Sequence, residues 1–358
     1  MRYQPALDGL RAICIALVFL YHCRIGAAPS GFVGVDVFFV LSGYLITHLV
    51  CLDVERHGHL RVGTFFARRA RRLLPALWLS VLLAWAVWEP AGGQVPFVRA
   101  AVPVLLYVSN WVAAYRGFAV LDPLGPTWSL AIEVQFYLVW PFLVWWLWTR
   151  ESLRTMAIIG TVATAAAFAL MRVWVFPYGT PLGAYSSTLT RVDVLLVGAA
   201  LAMLERHRPR LAGIARHPAF VSLAGVGLLG LIWIAWWRRG HAVFHSGIFT
   251  VVAVSSAVVI AQVSAVPEGW ISRVLALPPL VAIGKRSYGI YLYHYPIIQL
   301  TDPYRGGFWL AESLVLALRL GAVLAVAWLS FRFVEEPIRR WRGSAPASPP
   351  PADVSIGG

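Results

Sequence analysis

Arg11 and His22 stand eleven residues apart in LDGLRAICIALVFLYH, a stretch otherwise apolar enough for lipid. Eleven helical steps of about 100° return to nearly the same azimuth at an axial separation of ~16 Å, so both side chains face one groove at different depths. Asp8, three residues before Arg11, is within pairing reach of it. An ionisable residue near the bilayer centre costs roughly 2.5–3.5 kcal/mol on insertion scales, so ionisable groups sharing one face suit a polar interior path. Snorkelling of Asp8 and Arg11 to one interface and His22 to the other is the simpler account of this segment alone.

Other apolar stretches repeat the pattern. GVDVFFVLSGYLIT places Asp36 about one turn into its span, and TWSLAIEVQFYLVWP does the same for Glu133, with Ser129 and Tyr137 on its face. TRVDVLLVGAALA opens with Arg191 and Asp193, and SYGIYLYHYP sets His294 on the face of Ser287 and Tyr291. This spacing predicts two histidines (His22, His294) and three carboxylates (Asp36, Glu133, Asp193) at one level in the outer half, with Ser129 and Tyr291 lining the site. A histidine beside carboxylates suits general-base chemistry, because a carboxylate fixes the imidazole tautomer and stabilises its protonated form. His22 is the expected base, oriented by Glu133 or Asp36.

No GxSxG marks a nucleophile, and the Ser42–Gly43 pair reads as a close helix-packing device. The chain lacks a Walker motif, and its one GxGxxG, GVGLLG at 225–230, lies inside an apolar stretch of spanning length rather than at a strand-to-helix turn, which argues against ATP or NAD use. Cys14, Cys23 and Cys51 are not spaced for zinc and imply no disulfide framework, so no metal is expected. In FFARRARRLLP, Arg69 and Arg72 fall on one helical face and could grip phosphates from two directions. The same run could equally anchor the chain to anionic lipid.

These residues need membrane helices to position them. The chain has 358 residues, 59% of them hydrophobic, with 17 Trp, and its mean hydropathy is +0.71. That composition predicts an all-α, polytopic transmembrane bundle. The net charge of +14 comes from arginines in short segments between apolar runs, a topology signal rather than a nucleic-acid footprint. Apolar stretches fall near 7–23, 32–52, 73–89, 97–114, 128–148, 155–175, 187–204, 218–237, 246–265, 279–300 and 310–333. The arginine-bearing segments 53–72, 150–154, 205–217, 285–286 and 339–342 should all be cytoplasmic. That requires an even number of crossings between 72 and 150. Segment 97–114, broken by Pro103 and polar at Ser109 and Asn110, is therefore read as re-entrant or lying along the outer face. About ten spans remain, with both termini cytoplasmic. Residues 1–23 read as a retained first span, 1–342 as one transmembrane domain, and 343–358 as a disordered cytoplasmic tail.

Taken together, these motifs resemble the acyltransferase-3 family of integral-membrane acyltransferases. Arg11 and His22 are similar to the family's Arg, ten residues, His signature. GVDVFFVLSGYLIT, RRARRLLP, WSLAIEVQFY, the RxDxLLxG element from Arg191 to Gly198, SYGIYLYHYP and the closing FVEEP follow in the family's order. The resemblance departs where relatives commonly carry His-Thr before WSL, since Pro126-Thr127 stand there. Some relatives also continue into an extracytoplasmic hydrolase-like domain. Here a short polar tail follows, so the chain is expected to act alone or with a separate partner protein.

The resemblance implies a multi-pass protein of the bacterial plasma membrane that binds no cofactor and uses acyl-CoA, acetyl-CoA by default, as co-substrate. It implies transfer to a hydroxyl of a carbohydrate or glycosylated acceptor such as a cell-envelope glycan. It also raises Arg69 and Arg72 to donor-binding candidates, with Arg11 holding the donor along the groove. His294, Asp193, Ser129 and Tyr291 are then expected around the acceptor. A covalent acyl-histidine and direct transfer both remain open. The competing class is a transporter or flippase of a small solute or glycolipid, which would also keep carboxylates and histidines inside the bundle.

Overall fold

The computed structural model describes residues 3–24, 28–89, 96–175, 181–237, 247–302 and 312–340, and among these the chain is helical with no strand. The expected tail at 343–358 lies outside the described residues.

Seven helices are long and apolar enough to cross a membrane: Pro5–His22, Val33–His57, Val62–Trp88, Gly125–Trp148, Glu151–Trp174, Pro218–Ala235 and Ser313–Arg340. The chain is a multi-pass membrane protein. The other three stretches expected to span form shorter helices at Val192–His207, Phe249–Ala265 and Ser287–Leu300. At 1.5 Å per residue the last of these covers only ~21 Å. It is separated at Arg286 from the preceding helix Pro278–Lys285, so the 279–300 stretch is interrupted rather than continuous.

Six helices position the site and are labelled here in chain order: α1 (Pro5–His22), α2 (Val33–His57), α3 (Val62–Trp88), α4 (Trp128–Trp148), α5 (Val192–His207) and α6 (Ser287–Leu300). Pro5 starts α1, where a missing N–H costs nothing, and Gly58 closes α2 in the left-handed conformation with its N–H bonded to the Val54 carbonyl. The 97–114 stretch does not form one helix. Its first helix ends at Leu105 and the second starts at Ser109, with Tyr107 at positive φ between them. Asn110 is fully buried there, donating to Ser186 O and Thr188 Oγ1 and accepting from Gln135 Nε2.

The expectation for Gly43 holds. A Cβ on Gly43 would collide with the Leu195 carbonyl, and one on Gly198 with the Val40 carbonyl, so α2 and α5 touch backbone to backbone. Tryptophan N–H groups then fix α4 against α2, with Trp140 Nε1 donating to Thr47 Oγ1 at 2.7 Å and Trp148 Nε1 to Glu55 Oε1 at 2.9 Å. Away from these contacts Trp78, Leu82, Trp85, Leu138, Val139 and Trp146 are exposed, as suits faces of α3 and α4 turned to lipid.

Candidate active site

Two clefts among the described residues hold the candidate groups. The first, with a free volume of about 70 Å³, collects Arg11 from α1, Ser42 from α2, Arg69 and Arg72 from α3, Ser129, Glu133 and Tyr137 from α4, and Tyr288 and Tyr291 from α6. Arg69 and Arg72 share a face of α3, as their three-residue spacing requires. Arg69 lies 5.9 Å from the ring centres of Phe65 and Tyr137, and neither Arg69 nor Arg72 has a hydrogen-bond or ion-pair partner among the described residues. Arg11 is bound to Asp8 at 3.1 Å. Glu133 accepts from Ser42 Oγ at 2.8 Å and Tyr137 Oη at 3.0 Å. Three guanidinium groups therefore face this cleft against one lining carboxylate, an arrangement that favours an anionic occupant.

The second cleft, with a free volume of about 590 Å³, is lined by His22, by Arg24 and Arg319, by Gln299 and Asp302, and by the aromatic rings of Tyr21, Phe32, Trp128, Tyr185 and Tyr295. His22 Nδ1 lies 2.9 Å from the Val18 carbonyl oxygen and 3.2 Å from His294 Nε2. His294 Nδ1 lies 2.7 Å from the Tyr291 carbonyl oxygen. A carbonyl only accepts, so the hydrogen-bond network assigns a proton to each Nδ1. His294 Nε2 is then a lone-pair acceptor for the His22 Nδ1–H. His22 Nε2 is left unprotonated on a ring that lines the cleft, the state required of a general base.

Several expectations about this site need correction. Glu133 and Asp36 do not orient His22. Glu133 is taken up by Ser42 and Tyr137, and Asp36 by Arg191 Nη2 at 2.6 Å. His294 is not acceptor-facing, being fully buried behind His22. Asp193 lines neither cleft and is paired with Arg172 at 2.7 Å.

Arg191, Asp36, Arg172 and Asp193 form one buried cluster, with the Arg191 guanidinium 4.0 Å above the Phe249 ring. The predicted gathering of histidines and carboxylates at one level thus separates into a histidine pair, an arginine cleft containing Glu133, and a buried ion cluster. Ser129 and Tyr291 stay at the site, bound to each other at 2.7 Å.

Sequence reasoning missed Arg172, whose signal was a single arginine late in an apolar helix, and Ser42, which was assigned to packing together with its glycine neighbour. Among the described residues no group of three or more His, Cys, Asp and Glu side chains could hold a metal.

Comparison with known proteins follows the same lines. Residues 4–332 match the Acyl_transf_3 family of acyltransferase domains. The chain is 36% identical over 358 residues to the peptidoglycan O-acetyltransferase OatA of Listeria monocytogenes, covering 95% of this chain and 56% of that protein. It is 32% identical over 357 residues to the O-acetyltransferase OatA of Staphylococcus aureus, covering 95% and 58%. The chain thus spans a little over half the length of these relatives. No solved structure matches it. With a family match that runs through nearly all of the helical bundle and both clefts, the chain belongs to the acyltransferase-3 family of integral-membrane acyltransferases.

Proposed function

We propose that this protein is an O-acyltransferase that moves an acyl group, acetyl by analogy with its relatives, from acyl-CoA to a hydroxyl of a cell-envelope glycan. Peptidoglycan is the acceptor that its Listeria relative's name supports. The observation that carries the reading is His22, an imidazole with a free Nε2 on a large cleft that abuts a second cleft lined by arginines.

The arginine cleft takes the donor. Arg69 and Arg72, without hydrogen-bond or ion-pair partners among the described residues, bind CoA phosphates, and Arg11 holds the donor further along the cleft. The arginine-rich start of α3 favours the cytoplasmic side for this mouth, where acyl-CoA is made. The aromatic-lined cleft takes the acceptor, since flat rings interleaved with Gln, Asp and Arg side chains suit the apolar faces and hydroxyl rims of sugars.

His22 Nε2 accepts the proton of an acceptor hydroxyl as its oxygen attacks the thioester carbonyl carbon. The C–S bond breaks, and the imidazolium returns the proton to the departing CoA thiolate. Throughout, His22 Nδ1–H stays bonded to Val18 O and His294 Nε2, so the ring that gains charge keeps its orientation.

The test follows radiolabelled acetyl-CoA in membranes bearing wild-type or His22→Ala protein, with glycan, lipid and soluble fractions counted separately. Loss of glycan label by about 10²–10⁴-fold in a folded His22→Ala protein is expected. A fully active His22→Ala protein overturns the mechanism, and His22-dependent movement of solute without CoA release returns the chain to the transporter class.

A further inference from the structure

If the donor and acceptor occupy separate clefts, the acyl group has to cross whatever divides them. Among the described residues only Val35 of α2 and Tyr291 of α6 line both clefts. Both are buried, Val35 at 6% and Tyr291 at 7% exposure. The Tyr291 hydroxyl donates to the Pro126 carbonyl at 2.5 Å, which uses its only proton. The 2.7 Å contact with Ser129 is therefore a bond donated by Ser129 Oγ to the Tyr291 oxygen. Ser129 lines the arginine cleft and Pro126 the histidine cleft. The phenol is thus pinned across the boundary by one residue from each side.

The backbone of Tyr291 has a separate duty. Its carbonyl accepts the His294 Nδ1–H at 2.7 Å, and the two rings lie 5.6 Å apart. A shift of the Tyr291 backbone would displace His294 and, through it, His22. The side chain can swing about its own torsions without that consequence, by releasing two hydrogen bonds at the hydroxyl.

From these contacts, and resting on the acyl-transfer reading above, we infer that Tyr291 and Val35 form the aperture between donor and acceptor clefts and that this aperture limits the size of the acyl group transferred. Closed, the pinned ring keeps water in the acceptor cleft from the thioester in the donor cleft. Opened, it leaves a gap bordered by a tyrosine and a valine, narrow enough to pass a two-carbon acyl group and to resist longer ones. Ser129 acts through Tyr291 as a positioning residue. Water that crosses an open aperture adds to the thioester carbonyl as the C–S bond breaks, giving free carboxylic acid and CoA thiol.

The experiment measures acetyl-, propionyl- and butyryl-CoA turnover by purified wild-type, Tyr291→Ala, Tyr291→Phe and Val35→Ala proteins, each with and without glycan acceptor. CoA release and acyl-glycan formation are read separately. Each added methylene is discriminated by about 10–200-fold in a fitted apolar pocket. Val35→Ala, which touches neither the hydrogen bonds nor His294, should raise the butyryl-to-acetyl ratio of kcat/KM by at least about tenfold. Tyr291→Ala should do the same and also release CoA without acceptor, whereas Tyr291→Phe, which keeps the ring but loses its tether, should increase acceptor-independent release while keeping the acetyl preference.

If the wild type transfers acetyl and Val35→Ala and Tyr291→Ala leave both the chain-length ratio and the uncoupled release unchanged, the aperture is overturned and acyl transfer stands. If the wild type shows no His22-dependent transfer from any of the three donors, the acyl-transfer reading falls and takes the aperture with it.

Discussion

Replacing His294 by alanine should slow acyl transfer by an amount the hydrogen bonds set in advance. The His22 Nδ1–H is shared between Val18 O at 2.9 Å and His294 Nε2 at 3.2 Å. Without His294 the Val18 carbonyl still holds the proton on Nδ1, so Nε2 stays free and the base survives. One hydrogen bond to the imidazolium that forms during transfer is lost. Hydrogen bonds to charged groups contribute about 1.5–3 kcal/mol, and a rate falls about tenfold per 1.36 kcal/mol, so a loss of roughly ten- to hundredfold in kcat is expected.

His22→Ala removes the base itself and should cost about 10²–10⁴-fold. The double variant should be no slower than His22→Ala, because His294 acts only through the ring that is already gone. His294→Gln, whose side-chain oxygen can accept the Nδ1–H, should recover part of the loss. The assay is turnover of labelled acetyl-CoA at saturating donor and acceptor in detergent-purified protein, with thermal unfolding recorded for each variant. A His294→Ala rate within twofold of wild type refutes the reasoning. So does a double variant slower than His22→Ala by the full single-site factor, which would give His294 an independent contact with substrate.

Three further outcomes follow from the same geometry. Arg69→Ala with Arg72→Ala should raise the apparent KM for acetyl-CoA by about tenfold or more, with a much smaller change for an acetyl-pantetheine that lacks the nucleotide phosphates; equal effects on both donors would return the pair to a lipid-anchoring role. Asp36→Ala leaves the fully buried Arg191 unpaired and should cost about 3–5 kcal/mol in stability, read as lost thermal resistance in detergent. The paired change Asp36→Leu with Arg191→Met should recover most of that cost, and a double variant as unstable as the single one would show that the cluster does more than balance charge. Gly198→Ala drives a methyl group into the Val40 carbonyl and should destabilise the protein by about 1–3 kcal/mol or prevent its accumulation, measured by yield and melting temperature.

The sequence made some of this legible because helical periodicity is local. Arg11 and His22 share a face of α1 by arithmetic alone, and each opens onto a cleft. Arg69 with Arg72 and Ser129 with Glu133 were readable for the same reason, being three or four residues apart on one helix and lining one cleft in the fold. The interruption of 97–114 was only roughly placed by sequence: Pro103 lies within the first helix, which runs on to Leu105, and Ser109 opens the second, so the break falls at 106–108 between the two signals. What periodicity does not carry is the neighbour. Asp36 was placed one turn deep, but its facing residue is Arg191, 155 positions away. Asp193 has its partner in Arg172, inside a helix whose other residues give no sign of a site. Ser42 was read through Gly43 next to it. Successive helical residues point about 100° apart, so the glycine meets α5 while the serine reaches Glu133.

The failed expectation about the carboxylates has a physical reason that bears on the mechanism. A carboxylate beside His22 would bring an ionised group into an apolar bundle, where each uncompensated charge is expensive, and would need a cation of its own. The chain instead pairs Asp36 and Asp193 with arginines in a cluster of their own and surrounds Glu133 with hydroxyls and guanidinium groups. His22, the proposed base, is held by a second imidazole and a backbone carbonyl, which carry no net charge. On the proposed mechanism, charge appears at His22 only while a proton is in transit, as the donor thioester gains negative charge. An Asp substituted for His294 would test this directly: it supplies a stronger acceptor for the Nδ1–H at the cost of a buried, unpaired carboxylate. His294→Asp should therefore lower thermal stability more than His294→Ala does, and a His294→Asp protein as stable as wild type and faster in transfer would show that the bundle can hold an ionised partner at that position.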